Sequence, residues 1–224
     1  QEIAKSLVSI LNKIGTNFAT LGSEEWCCGD SALRLGEKGL FEDLAEHNIS
    51  LFKNFAAEKI VTLSPHCFYT FKTEKPYSSF DFHVQHYTQF IADAIDNGKL
   101  KFSKTLKKKV TYHDPCFLGR YSGIYDAPRK ILESINGLEL IEMKRTKEQS
   151  FCCGGGAGRF WIEDSAFKER PSINRVREAL DTGADIIATA CPFCVVNLED
   201  AVKTLDAEDN ITVKDISELL SEAL

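Results

Sequence analysis

No stretch of the 224-residue chain is apolar over the about 18 residues that a membrane-spanning helix needs. The first residues, QEIAKSLVSILNKIG, lack the charged-then-apolar order of a secretory signal. Positive charge is not in excess either. Lys and Arg number 27 against 33 Asp and Glu, for a net charge of −6, so the electrostatic footprint of a nucleic-acid binder is missing. These absences argue against nucleic acid and against direct membrane contact by this segment. A cytoplasmic location is expected, with membrane association arising only through a longer protein or a partner. The chain also has no need of disulfides, because 43% hydrophobic residues over this length can bury a core unaided. Its eight cysteines, in a reducing compartment, therefore point to metal binding or thiol chemistry.

Apolar periodicity switches repeatedly between helix and strand. IAKSLVSILNKI reads as a helix and FATL as a short strand; Ser31 to Ala57 reads as helix, KIVTLS as a buried strand and CFYTFKTEK as helix. FHVQHY is a strand leading into the helix TQFIADAI, with Thr88 as its N-cap and Gly98 as its stop. KLKFSKTLKKK is a basic connector, either simply solvated or a docking surface for an acidic partner. Beyond it come the strand KVTYHD, a helix around Pro128–Ile135, the strand LELIEM, a helix over Ile173–Asp181, the strand DIIATA and a helix after Cys191. ITVKDISELLSEAL at the end matches FHVQHYTQFIADAI almost position for position.

This is an internal repeat, with units at residues 1–103 and 104–224. It pairs Cys27-Cys28-Gly29 with Cys152-Cys153-Gly154, and Ser64-Pro65-His66-Cys67 with Cys191-Pro192-Phe193-Cys194. The expected fold is α/β: two similar lobes, each a small, mostly parallel sheet flanked by helices. Ligands in such folds sit beyond the carboxyl ends of the strands. Ser64, Cys67, Cys116 and Cys191 all follow strands at that edge.

In the second unit Cys116, Cys152, Cys153, Cys191 and Cys194 form the series C-x35-CC-x37-CxxC. A CxxC at a helix start aims two sulfurs at one centre, and the helix dipole favours thiolate there. An adjacent pair can bring both sulfurs to one site only from an irregular loop. Four thiolates satisfy zinc or a cubane cluster, so a fifth suits a larger or opened iron-sulfur core. Gly154, Gly155, Gly156 and Gly158 read either as a nest of N–H groups for such an anionic core, with Arg159 adding charge, or as a plain flexible turn.

The series, with FCCGGGAGRFWIED and ATACPFCVVNLED around it, resembles the cysteine-rich CCG domain of the heterodisulfide reductase B/D family. Relatives of that family include iron-sulfur subunits of glycolate oxidase, anaerobic glycerol-3-phosphate dehydrogenase and lactate-utilisation systems. The resemblance implies a 4Fe-4S cluster, non-cubane in the heterodisulfide reductases, on Cys116, Cys152, Cys153, Cys191 and Cys194. It implies a role as the iron-sulfur part of an oxidoreductase. Electrons would pass between a flavoprotein or ferredoxin-type partner, an electron-transfer flavoprotein among the candidates, and a disulfide, quinone or hydroxyacid-linked substrate. The isolated segment is not expected to be active alone. It further implies that the chain is part of a longer protein.

The first unit departs from the pattern. It keeps Cys27, Cys28 and Cys67, but Ser64 stands where the CxxC begins, and the counterpart of Cys116 with its strand falls upstream of Gln1. A hydroxyl is a poor iron ligand. A second metal site at Cys27, Cys28 and Cys67, holding zinc or a second cluster, is therefore an open expectation, with His66 either completing a Cys3His zinc site or merely packing or capping. His113, beside Cys116, is expected to hydrogen-bond to the ligands rather than to ligate, and His66 is a candidate for the same role. His83 and His86 receive no role. The competing reading of the whole chain is a zinc-stabilised structural or interaction domain without redox activity. A dithiol enzyme using Cys191 and Cys194 alone would leave three cysteines unexplained.

Overall fold

The alternation of strand and helix patterns yields two parallel sheets with helices packed against them. This is seen in a computed structural model that describes residues 1–162 and 168–224. The first sheet pairs β1 (Lys59–Thr62) with β2 (His83–His86), in register from Lys59 opposite His83 to Thr62 opposite His86. The second comprises β3 (Lys108–Tyr112), β4 (Leu138–Leu140), β5 (Ile186–Thr189) and β6 (Thr212–Asp215), in the order β4-β3-β5-β6. All of its ladders are parallel. All four residues of β5 are buried, as a central parallel strand covered on both faces requires.

The helices are α1 (Glu2–Ile14), α2 (Asp30–Arg34), α3 (Lys38–Asn54), α4 (Pro65–Thr73), α5 (Tyr87–Asp96), α6 (Asp126–Ser134), α7 (Pro171–Leu180), α8 (Pro192–Thr204) and α9 (Ile216–Ala223). The repeat is visible in their order, since β1-α4-β2-α5 recurs as β5-α8-β6-α9. It is visible in the packing as well. Helix α5 lies on α6, and α9 lies on α1, so each unit's last helix packs on the helix preceding the other unit's cysteine doublet. Leu7 and Ile10 of α1, Tyr87 and Ile91 of α5, and Leu219 and Leu220 of α9 share one core.

Equivalent caps meet at its centre. His86 caps α5 in a box with Gln89, and Asp215 caps α9 in a box with Glu218. The Tyr87 hydroxyl donates to Asp215 Oδ1 at 2.7 Å, joining the two junctions. Burial raises the Asp215 carboxyl to about 7, against the opposing hydrogen bonds from Ser217 and Tyr87. His86 is buried and is held neutral by desolvation, its pKa lowered to about 3.

Several local expectations are corrected. Residues 16–21, which include FATL, form no strand; Phe18 packs on the shared core, and no ladder pairs with the segment among the described residues. The expected helix from Ser31 to Ala57 is two helices, because Gly36 takes φ 91° between them. Thr88 does not cap α5; the imidazole of His86, two residues earlier, accepts from its amide. LELIEM pairs only over Leu138–Leu140, as a short edge strand. The basic connector is not simply solvated: Leu100 is buried, and the amides of Ser103 and Lys104 donate to the Ala223 carbonyl.

Replacing Tyr87 by Phe removes the donor to buried Asp215 and is expected to cost about 1–3 kcal/mol in urea unfolding. Because the folded chain holds a proton on Asp215 that the unfolded chain releases, stability contributed by this group falls as pH rises from about 4 to about 7. In the variant that decline should extend to higher pH. Coincident pH–stability curves for the two proteins would show that the bond contributes nothing.

Candidate metal centre

Three pieces of backbone bring the cysteines of the second unit to the carboxyl edge of its sheet. Strand β3 runs through Tyr112 into His113 and Cys116, with the His113 amide donating to Ala188 O at 2.8 Å. Strand β5 delivers Cys191 as the N-cap of α8, with Pro192 in the first turn and Cys194 behind it. Pro fits there because that turn's N–H groups have no helical acceptor. The doublet Cys152-Cys153 comes from irregular backbone that turns at Gly154, φ 80°, and the Cys153 carbonyl is held by the Asn197 amide.

The five sulfurs converge. Cys116 and Cys152 lie 3.8 Å apart and Cys153 and Cys194 3.4 Å apart, while Cys152 also contacts Cys153, and Cys191 contacts Cys194. These separations far exceed a disulfide bond of about 2.05 Å, and all eight cysteines are free. Cys153, Cys191 and Cys194 are buried, Cys116 and Cys152 partly so.

Crowding decides which sulfurs ionise. The thiols of Cys116 and Cys153 hydrogen-bond the Cys152 sulfur and hold its pKa far below normal, with the Gly154 N–H at 3.3 Å adding to this. Burial opposes ionisation of Cys191, but Cys194 and His66 lower it to about 5. Cys116 is pushed up by its hydrogen bond to Cys152 and by burial. Cys153 is raised by Cys152 and Cys194 by Cys153, each with burial adding to the effect. The surroundings thus favour thiolate at Cys152 and Cys191 and thiol at Cys116, Cys153 and Cys194.

Both candidate histidines lie at this site. His66, carried on α4 of the first unit, has Nδ1 2.7 Å from Asp30 Oδ2 and also hydrogen-bonds Cys191 across the repeat boundary. Burial lowers its pKa, but Asp30 and Cys191 outweigh that and raise it to about 9. Its ring is thus bonded to Asp30 on one side and to Cys191 of the second unit on the other. Gly156 must lack a side chain, since a Cβ there would come within 2.7 Å of the His66 ring. His113 is buried and neutral, its pKa lowered to about 3 by desolvation and then by Arg175. One of its ring nitrogens and the sulfurs of Cys153 and Cys194 all lie within 4.8 Å of one another. Gly155 packs on Asn197, and Arg159 opens the short turn Arg159–Trp161 after the glycine loop.

The first unit gathers its sulfurs similarly. Cys28 contacts both Cys27 and Cys67, and the Gly29 amide lies 3.5 Å from Cys27 Sγ, the counterpart of the Gly154–Cys152 contact. Ser64 is otherwise engaged: its hydroxyl accepts from the His66 amide and caps α4. Asn48 donates to the carbonyls of Trp26 and Cys27 and to the Tyr77 hydroxyl, fixing this loop. Asp30, Asn48, Asn197 and Arg175 were not singled out in the sequence; only Asp30, which directly follows the first doublet's glycine, carried a positional signal.

Comparison with known proteins shows the family. The cysteine-rich domain family CCG matches residues 1–72 and 110–199. The chain belongs to the CCG family. It is 41% identical over 230 residues to an EtfAB:quinone oxidoreductase of Syntrophomonas wolfei, covering 100% of this chain and 32% of that protein. It is 42% identical over 222 residues to the D subunit of the dihydromethanophenazine:CoB–CoM heterodisulfide reductase of Methanosarcina barkeri, covering 96% of this chain and 53% of that protein. A probable membrane-anchored ferredoxin of Chromohalobacter salexigens is 38% identical, with 34% of its length covered. The CCG chain thus spans from a third to about half of these relatives. No helix among its described residues is long and apolar enough to cross a membrane.

Five soft sulfur donors, an amide directed at one of them and a buried imidazole beside two others fit an iron-sulfur cluster better than a four-coordinate zinc ion. The ionisation pattern is directly testable in metal-free protein. Near pH 6 iodoacetamide should modify Cys152 before the more exposed Cys27, whose thiol is raised by its hydrogen bond to Cys28 and by burial. Peptide mass mapping over time would read the order, and faster modification of Cys27 would contradict the assignment.

Proposed function

We propose that Cys116, Cys152, Cys153, Cys191 and Cys194 hold a 4Fe-4S cluster through which this segment relays electrons within an oxidoreductase complex. The observation that carries the reading is the convergence of all five sulfurs on one largely buried site at the carboxyl edge of the second sheet. When bound, such a cluster supplies a one-electron carrier. The chain's own residues do the rest. Cys152 and Cys191 provide thiolates, the Gly154 N–H and His66 offset negative charge on sulfur, and Phe117 and Phe193, packed on His66, keep water from that side.

The electron donor in this reading is a flavoprotein or ferredoxin-type partner, and the acceptor is a quinone or disulfide. The quinone oxidoreductase and the heterodisulfide reductase among the relatives support this reading. The units are residues 1–103 and 104–224, and the complex works at the cytoplasmic side, with membrane association through other parts of the protein or a partner. Cys27, Cys28 and Cys67 carry no cluster in this reading, because Ser64 is committed to its cap and offers a hydroxyl where iron needs thiolate.

Anaerobic purification with iron, sulfide and zinc quantified, and an EPR spectrum recorded, tests this. Cys153→Ser is expected to lose the iron and the spectrum, whereas Cys28→Ser keeps both. Equal iron loss in the two variants would give the first unit a cluster as well, and zinc without iron in the parent protein would favour the structural-domain reading.

A further inference from the structure

We infer that Arg175 locks His113 as an Nε2–H hydrogen-bond donor to the sulfurs of Cys153 and Cys194, making this pair a positioning device for the site rather than a source of a sixth ligand. The inference rests on the iron-sulfur reading for its consequence but on hydrogen-bond chemistry for its substance. Arg175 lies on α7 and its side chain is fully buried. Its Nε donates to His113 Nδ1 at 3.1 Å. The guanidinium cannot turn away: Nη1 donates to Arg145 O and to Glu178 Oε2, both at 2.8 Å, and Nη2 lies 3.4 Å from Ser150 Oγ.

A guanidinium has only donors, so the nitrogen facing it must be a bare acceptor. An imidazolium would set N–H against N–H there. The remaining arrangement is neutral imidazole with its proton on Nε2. That nitrogen is buried, and among the described residues it has no hydrogen-bond partner. An unmet donor in such a place forfeits its hydration without return, so it calls for an acceptor. The ring shares its locality with Cys153 Sγ and Cys194 Sγ, within 4.8 Å, and thiolate or sulfide sulfur would accept the proton. The main chain keeps the ring in place from the other side, with the His113 amide on Ala188 O and the Thr189 hydroxyl donating to His113 O.

His66 provides the contrast within the same site. Its Nδ1 faces a carboxylate, so that nitrogen carries a proton. Two histidines at one sulfur site thus present the same ring nitrogen, Nδ1, to their anchors in opposite protonation states, bare before an arginine and protonated before an aspartate. Since protonated Nε2 has no lone pair for a metal, His113 is excluded as a ligand while its partners stay in place. An N–H donor at sulfur stabilises the more negative, reduced form of a cluster and raises its reduction potential.

Two measurements decide the matter. Nitrogen NMR on histidine-labelled, metal-free protein, in which five histidines must be resolved, is expected to show His113 with its proton on Nε2. That preference should be lost in Arg175→Met. A proton on Nδ1, or an imidazolium, overturns the inference. In the iron-loaded protein His113→Leu should keep full iron content but shift the potential to more negative values, while His113→Gln, which restores a side-chain N–H, should return it most of the way. Iron lost from both variants would make His113 a ligand, and identical potentials in all three proteins would leave it a packing residue; either result overturns the inference. Should the parent protein bind no iron at all, the proposed function fails, and the NMR result still decides whether Arg175 sets the tautomer.

Discussion

Sulfur atoms held 3.4 Å and 3.8 Å apart at a largely buried sheet edge cannot all be charged, and much of the structure answers that constraint. Like charges at such distances in a poorly solvated place repel strongly, so ionisation is favoured at Cys152 and Cys191 and disfavoured at Cys116, Cys153 and Cys194. Each favoured thiolate has a donor that is not a thiol: the Gly154 amide for Cys152 and His66 for Cys191. Those donors are in turn fixed, one by a left-handed glycine turn and the other by Asp30. The glycine loop, the buried Asp–His pair and the arginine behind His113 thus serve one electrostatic requirement.

The sequence was legible where a pattern repeats. The pairing of the two doublets, of SPHC with CPFC, and of the terminal strand-helix segments carried the α/β architecture and the convergence of five cysteines, because duplication exposes which positions correspond. It was least legible where side chains act across units. Nothing in the spacing joins Asp30 and His66 to Cys191, or Tyr87 to Asp215, since these bonds depend on how the units pack. Local propensity misled in smaller ways. Thr88 is a good cap by type, but the chain enters α5 before it and a buried imidazole takes that role. FATL has strand composition, but among the described residues no strand pairs with it.

The first unit keeps the frame of the second unit's site with different side chains in it. Ser64 has the backbone role of its counterpart Cys191, since both occupy the N-cap before a proline-led helix, but it offers a capping hydroxyl where Cys191 offers a sulfur. His66 occupies the place of Phe193 and leans against it, reaching the sulfur of the other copy. Asp30, in the place of Gly155, supports it. The hydroxyl that stands in place of a sulfur and the imidazole that reaches the other unit thus lie two residues apart in the same segment.

The reciprocal contacts of α5 on α6 and of α9 on α1 bear on origin as well as on stability. An exchange in which each unit's last helix covers the other unit is the self-complementary pattern of a two-fold homodimer, where one surface meets its own copy. In such a dimer both sites must change together, because a single gene encodes them. Joining the copies through the connector pinned beside α9 removes that coupling while leaving the interface intact. A symmetric dimer can only change both copies of a feature at once, whereas the joined chain can carry one set of side chains in one unit and a different set in the other.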